Sequence, residues 1–284
     1  MAPSTGQLAL LIIAIVFYSA GGVCSIWRAW SDDSRIKVLS RALLVLGIIT
    51  SLGIIVWHAT ARRSWLPLED NFDALLWLAT LLASFVLYVQ STGRLGGVDW
   101  FVMPVVLLLL LAAIFIGPRT APYVRDTWSW IHRVTAYGGA VAFAIAAAAG
   151  AMYVLASKRL RSKSPVSPLF GSLERLEHRT MTSVTLGFAL LTVAMITGGV
   201  EIVGKDRQTS LTKILLAAGV WIVYAIVLHA PINPSFRGRK VAFLSIAGFI
   251  LMVGAIVTVL LLPASAVAGG AAGGTAGGTA GGAR

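Results

Sequence analysis

The 284-residue sequence contains one cysteine, Cys24, and only 11 acidic residues. A single thiol excludes an internal disulfide. Without a C-x-x-C pair the chain has neither a thioredoxin-like redox site nor a c-type haem attachment site of its own. Cys24 reads as a structural thiol near a helix end. Charged residues of both signs make up 12% of the chain and fall in short clusters between long apolar runs. Water cannot be the solvent for most of such a surface. There is no Walker loop, no zinc-protease helix and no serine elbow. No apolar run carries a mid-membrane charge of the kind that marks an ion pathway. The net charge of +12 does not indicate nucleic acid, because the 23 Lys and Arg are scattered over the segments between apolar runs, with no basic domain. Membrane lipid headgroups are the expected counter-charge.

What the sequence does have is apolar length, with 57% hydrophobic residues. A helix needs about 20 apolar residues to cross a bilayer. By that criterion, spans are predicted near Leu8 to Trp27, Val38 to Trp57, Ala74 to Val89, Trp100 to Gly117, Trp130 to Ala156, Thr182 to Val200, Leu211 to Leu228 and Val241 to Leu262. The expected fold is therefore an all-α, polytopic membrane bundle of about eight helices. Pro104, Pro118 and Pro263 are expected at the ends of these runs. The first run has no Lys or Arg before it and is too long for a signal-peptide core, so it reads as a span. The run Ala142 to Ala151 is small enough for close helix approach, which puts the fifth span inside the bundle.

Of the 23 Lys and Arg, 14 fall on the side of the odd-numbered loops and 9 on the side of both termini. The positive-inside rule then places both termini outside. The fifth loop, with Lys158, Arg159, Arg161 and Lys163, is cytoplasmic in this reading. Leu169, Leu173 and Leu176 form an apolar face expected to lie along the membrane surface. Residues 1–262 read as the transmembrane domain, and 263–284, rich in Gly, Ala and Thr, as a disordered tail.

Four histidines are the candidates for chemistry. His58 ends the second span, His132 opens the fifth, His178 lies in the fifth loop and His229 ends the seventh. An imidazole at a span rim can ligate haem iron or another metal, or can simply be satisfied by headgroups or by the last carbonyls of a helix. Trp57 and Trp65 near His58, and Trp128 and Trp130 before His132, can serve as interfacial anchors or as flat walls for a porphyrin. Arg62, Arg63, Arg119, Arg125 and Arg133 on the same side could meet its propionates.

Four stretches are distinctive. They are Pro67 to Leu78 (Pro-Leu-Glu-Asp-Asn-Phe-Asp-Ala-Leu-Leu-Trp-Leu); Trp130-Ile-His-Arg-Val-Thr-Ala-Tyr137; Leu173-Glu-Arg-Leu with Leu186-Gly-Phe-Ala-Leu-Leu-Thr and Gly198-Gly199; and Trp221 to His229 followed by Arg237-Gly-Arg-Lys and Gly248-Phe249. In this order, from His58 to Leu262, they resemble the cytochrome c assembly family, the CcsA- and CcmC-type haem-handling membrane proteins and their HemX-like relatives. The resemblance implies a multi-pass protein of the bacterial inner (cytoplasmic) membrane, bound to haem b and to a partner membrane subunit of the assembly machinery, and not an enzyme. It also implies that His132 is an external histidine and His229 a membrane-embedded one.

Two departures stand out. The loop before the seventh span, Glu201-Ile-Val-Gly-Lys-Asp-Arg-Gln-Thr-Ser, lacks the Trp-rich motif of haem-presenting members, and the family's Asp would fall near Leu211, not at Asp206. A second external histidine after the eighth span is absent. The HemX-like branch, implicated in tetrapyrrole metabolism, lacks the same Trp motif. The expected function is haem binding and handling in cytochrome c biogenesis. The alternatives are a HemX-like scaffold or regulator of tetrapyrrole synthesis, and a secondary transporter of another apolar solute. His132 and His229, near opposite faces, are expected to serve different irons, with His58 the internal candidate to complete the site of His132. The sixth loop is not expected to bind haem.

Overall fold

The computed structural model describes residues 4–27, 33–63, 70–92, 97–116, 127–162, 172–204, 211–229 and 238–261. Eight helices lie within them: α1 (Thr5–Trp27), α2 (Ser34–Arg62), α3 (Asn71–Thr92), α4 (Asp99–Ile116), α5 (Thr127–Arg161), α6 (Leu173–Gly204), α7 (Leu211–Leu228) and α8 (Arg239–Leu261). Six are long and apolar enough to cross a membrane, and α4 and α7 contain shorter apolar segments. At 1.5 Å per residue, the 18 residues of each shorter helix reach about 27 Å, close to the ~30 Å hydrocarbon layer. The chain is thus a multi-pass helical membrane protein, as the apolar runs predict.

Local chemistry sets several helix ends. The Asp33 carboxylate accepts the Arg35 amide at 2.8 Å and caps α2. Arg63, in the left-handed region at φ 56°, turns its N–H back on Ala59 and Thr60 and closes that helix. The Asp70 carboxylate accepts the Asp73 amide at 2.8 Å and opens α3.

Neighbouring helices run antiparallel. The end where α1 begins, the near end, therefore also holds the ends of α2, α4, α6 and α8 and the starts of α3, α5 and α7. The far end holds the rest. One core joins α1 to α4, one face of α5 and Leu176 of α6, and a second joins α5 to α8 with Leu78 of α3. The fifth helix stands between the halves, as its alanine run predicts, packing on α6, α8, α3 and α4. Gly139 lies 3.4–3.7 Å from α6 at the position a Cβ would take, and Gly150 has the α8 backbone at Ala242 just 3.0 Å from that position.

Three expectations need correction. Leu173 and Leu176 do not lie on the membrane surface: they belong to the first turn of the 32-residue α6, and Leu176 is fully buried in the core that also contains Ala156. The helical spacing of these leucines is the same in both arrangements, and packing against α5 decides between them. His178 accordingly sits on α6 and not in a loop. Pro104 lies inside α4 and not at its end. It stands six residues into the 18-residue helix and removes a single N–H from the ladder near its start. Leu169, Pro118, Pro263, most of the sixth loop and the tail lie outside the described residues.

Candidate functional site

His132 occupies the second turn of α5 at the near end. Its Nδ1 is 2.7 Å from the Ala194 carbonyl of α6. A carbonyl can only accept, so Nδ1 carries the hydrogen and Nε2 carries the lone pair. The ring reaches that carbonyl because α6 has no side chain at Gly198, where a Cβ would stand 2.9 Å from His132 Cε1 and 3.0 Å from Nδ1. The Thr197 hydroxyl also donates to the Ala194 carbonyl, at 3.1 Å. Trp128 and Trp130, one turn and half a turn before His132, are 48% and 42% exposed. Trp128 shares the helix face of the histidine, whereas Trp130, half a turn away, stands on the opposite side of the helix.

His229 follows the last residue of α7 at the far end. Its Nδ1 is 2.8 Å from the Ala225 carbonyl one turn back, and the side chain is exposed. The hydrogen again sits on Nδ1 and the lone pair on Nε2. Both histidines therefore present the same nitrogen, each oriented by a backbone acceptor, which is how ligating histidines are held. They stand at opposite ends of the bundle. His178 is exposed on α6, also at the far end.

The structure treats His58 differently. It is 1% exposed, its ring packs edge-on against Phe72 at 5.1 Å, and its Nδ1 is 2.8 Å from Asp73 Oδ1 and 3.9 Å from Asp70 Oδ2. Arg62, in the last turn of α2, pairs with both carboxylates, at 3.4 Å from Asp70 and also directly with Asp73. Burial pushes the Asp70 carboxyl above the ordinary carboxylate range, while the Asp73 amide pulls it down. His58 thus faces α3 and His132 faces α6, and their helices share no large interface.

A second polar group, also missed by sequence reasoning, closes the far end of the first half. The Ser25 hydroxyl donates to Asp99, Gln90 Nε2 donates to Asp99 at 3.2 Å and to Ser40 at 3.4 Å, and Arg41 donates to the Gln90 carbonyl. Ser40 in turn donates to the Gly21 carbonyl at 3.1 Å. One residue or more from each of α1 to α4 takes part. Nothing in the spacing of these residues along the chain signals that they meet.

The cytochrome C assembly protein family matches residues 37–264. The chain is similar to the cytochrome c biogenesis protein CcsA of Prochlorococcus marinus (strain NATL1A), with 24% identity over 86% of this chain and 85% of the relative. The CcsA of Guillardia theta is 23% identical over 85% and 87% of the two chains. The inner membrane protein YpjD of Escherichia coli (strain K12) is 24% identical over 73% of this chain and 82% of its own. No solved structure matches the chain significantly.

Proposed function

The chain belongs to the cytochrome c assembly protein family, and from that membership we propose that it binds haem b and handles it, without transforming it, in cytochrome c biogenesis. One observation carries the reading. His132 and His229 each commit Nδ1–H to a backbone carbonyl and keep the Nε2 lone pair for a ligand, one at each end of the bundle. Haem iron takes that lone pair. Trp128, on the same helix face, supplies a flat wall beside His132, and Arg133 a cation for a propionate. The iron's chemistry belongs to the haem, and the protein supplies ligation and orientation.

The positive-charge bias puts the near end, with His132 and both termini, outside the inner membrane. Axial ligands of one iron lie on the two faces of one porphyrin, and histidines at opposite ends of a ~30 Å layer cannot share it. His132 and His229 accordingly serve separate sites. His58 is enclosed by α3 carboxylates, so each site is completed by a partner subunit or keeps an open position. The test compares haem occupancy in H132A, H229A and the double variant. Partial losses that add are expected. Complete loss from either single change, with the fold intact, would defeat the two-site reading.

A further inference from the structure

We propose that His58, Asp70 and Asp73 form a binding site for a divalent first-row metal ion, zinc-like in its demands, and that Arg62 is the counter-charge such an ion displaces. This goes beyond haem handling and involves neither His132 nor His229. The three side chains are 1–2% exposed and come from the facing ends of α2 and α3. Their candidate ligand atoms all lie within 4.8 Å of one another.

Geometry supports such an ion. Bonded to nitrogen and oxygen at about 2.0–2.2 Å in a tetrahedron, it holds its ligand atoms roughly 3.3–3.6 Å apart. His58 Nδ1 stands 2.8 Å from one carboxylate oxygen and 3.9 Å from the other, on either side of that value. Movements of about half an ångström would bring the imidazole to that spacing from each carboxylate, and the carboxylates, which lie within 4.8 Å of one another, would close by up to about 1 Å. Imidazole nitrogen with carboxylate oxygen is a ligand mixture suited to zinc and its neighbours.

Charge points the same way. Two buried carboxylates carry two negative charges, and Arg62 returns one, so with a neutral imidazole the described cluster keeps one negative charge in a low-dielectric rim. Such an imbalance is costly. A divalent ion in place of Arg62 makes the cluster neutral. Arg62 stands in the last turn of α2, where its long stem lets the guanidinium reach the headgroups once the ion takes its place. The imidazole must also change tautomer, the hydrogen passing from Nδ1 to Nε2. The transfer gives up the Nδ1–H bond to the Asp73 carboxylate, which the metal bonds replace, and places the hydrogen on Nε2, a buried atom with no other bond to lose.

The experiment titrates Zn²⁺ into chelator-stripped, full-length protein without a histidine tag, in detergent, against a chromophoric chelator. One site per chain is expected, weakened at least tenfold in D73N and in H58Q. The R62Q variant keeps all three ligands and removes the competitor, so it should bind more tightly than wild type. The H132A/H229A protein should titrate like wild type, which separates this site from the haem reading. Equal affinity in wild type and D73N would overturn the proposal, as would weaker binding in R62Q, which would make Arg62 a support of the cluster and not a rival to the ion.

Discussion

Adding one methyl group at Gly198 would put a Cβ 2.9 Å from His132 Cε1, whereas at Gly199 it would meet nothing within 4 Å. The adjacent glycines therefore make a matched pair. Alanine at 199 should be silent or stabilising by up to about 1 kcal/mol, from helix propensity alone. Alanine at 198 gains the same propensity but pushes the imidazole off the Ala194 carbonyl, which frees the ring to turn. The expected result is a haem spectrum depleted of its His132-dependent part in G198A and unchanged in G199A, with similar melting temperatures. Equal spectra would mean that the Ala194 contact does not orient the ligand. The sequence reveals Gly198-Gly199 as a motif but not which glycine matters, since only the packing of α5 on α6 tells them apart. Trp128 and His132 are legible as neighbours because they stand four residues apart on one helix face. The company of His58 is not, because Asp70 and Asp73 come to it across a connection between helices.

Among the helices, the two halves are held by different means. The first has polar groups at both ends: Arg62 and His58 with Asp70 and Asp73 at the near end, and Ser25, Ser40, Arg41, Gln90 and Asp99 at the far end. The second is tied by two rings. Phe143 of α5 and Tyr224 of α7 stack at 3.6 Å with an interplanar angle of 5°. Phe143 lies against Gly187 of α6, and Tyr224 against Gly248 of α8, where added Cβ atoms would stand 2.6 and 2.8 Å from ring carbons. One stacked pair thereby links four helices. G187A and G248A should each destabilise the protein by about 1–3 kcal/mol through overpacking. Because both displace the same pair, the double variant should lose less than the two losses together. G254A, where nothing lies within 4 Å, is the control. Thermal unfolding in detergent measures all four, and a G187A variant as stable as G254A would count against the ring tie. The spans themselves were readable because crossing a bilayer demands a length that composition cannot hide. The ring tie and the polar ends were not, because each joins residues tens of positions apart.

At the scale of the whole molecule, α5 and α6 outreach the membrane. Their 35 and 32 residues correspond to roughly 52 and 48 Å, against a hydrocarbon layer of about 30 Å. Charge shows where the excess goes, since Lys158, Arg159 and Arg161 fill the last turn of α5 and Glu174, Arg175, Glu177 and Arg179 the first turns of α6. The far end of this hairpin stands clear of the lipid as a cationic stub. The stub offers a protease six of the 14 Lys and Arg on this side within one hairpin. In inverted vesicles, trypsin should nick the chain between Lys158 and Arg179 into a five-helix and a three-helix piece, while in sealed right-side-out vesicles the chain should stay whole. Cleavage in the opposite preparation would reverse the orientation proposed above. The seam between the pieces, where Gly138 and Gly139 meet Leu190 and Phe143 meets Gly187, lies within the bilayer, out of the protease's reach. The nicked protein should therefore purify as one particle of two polypeptides, severed in sequence and still continuous in packing.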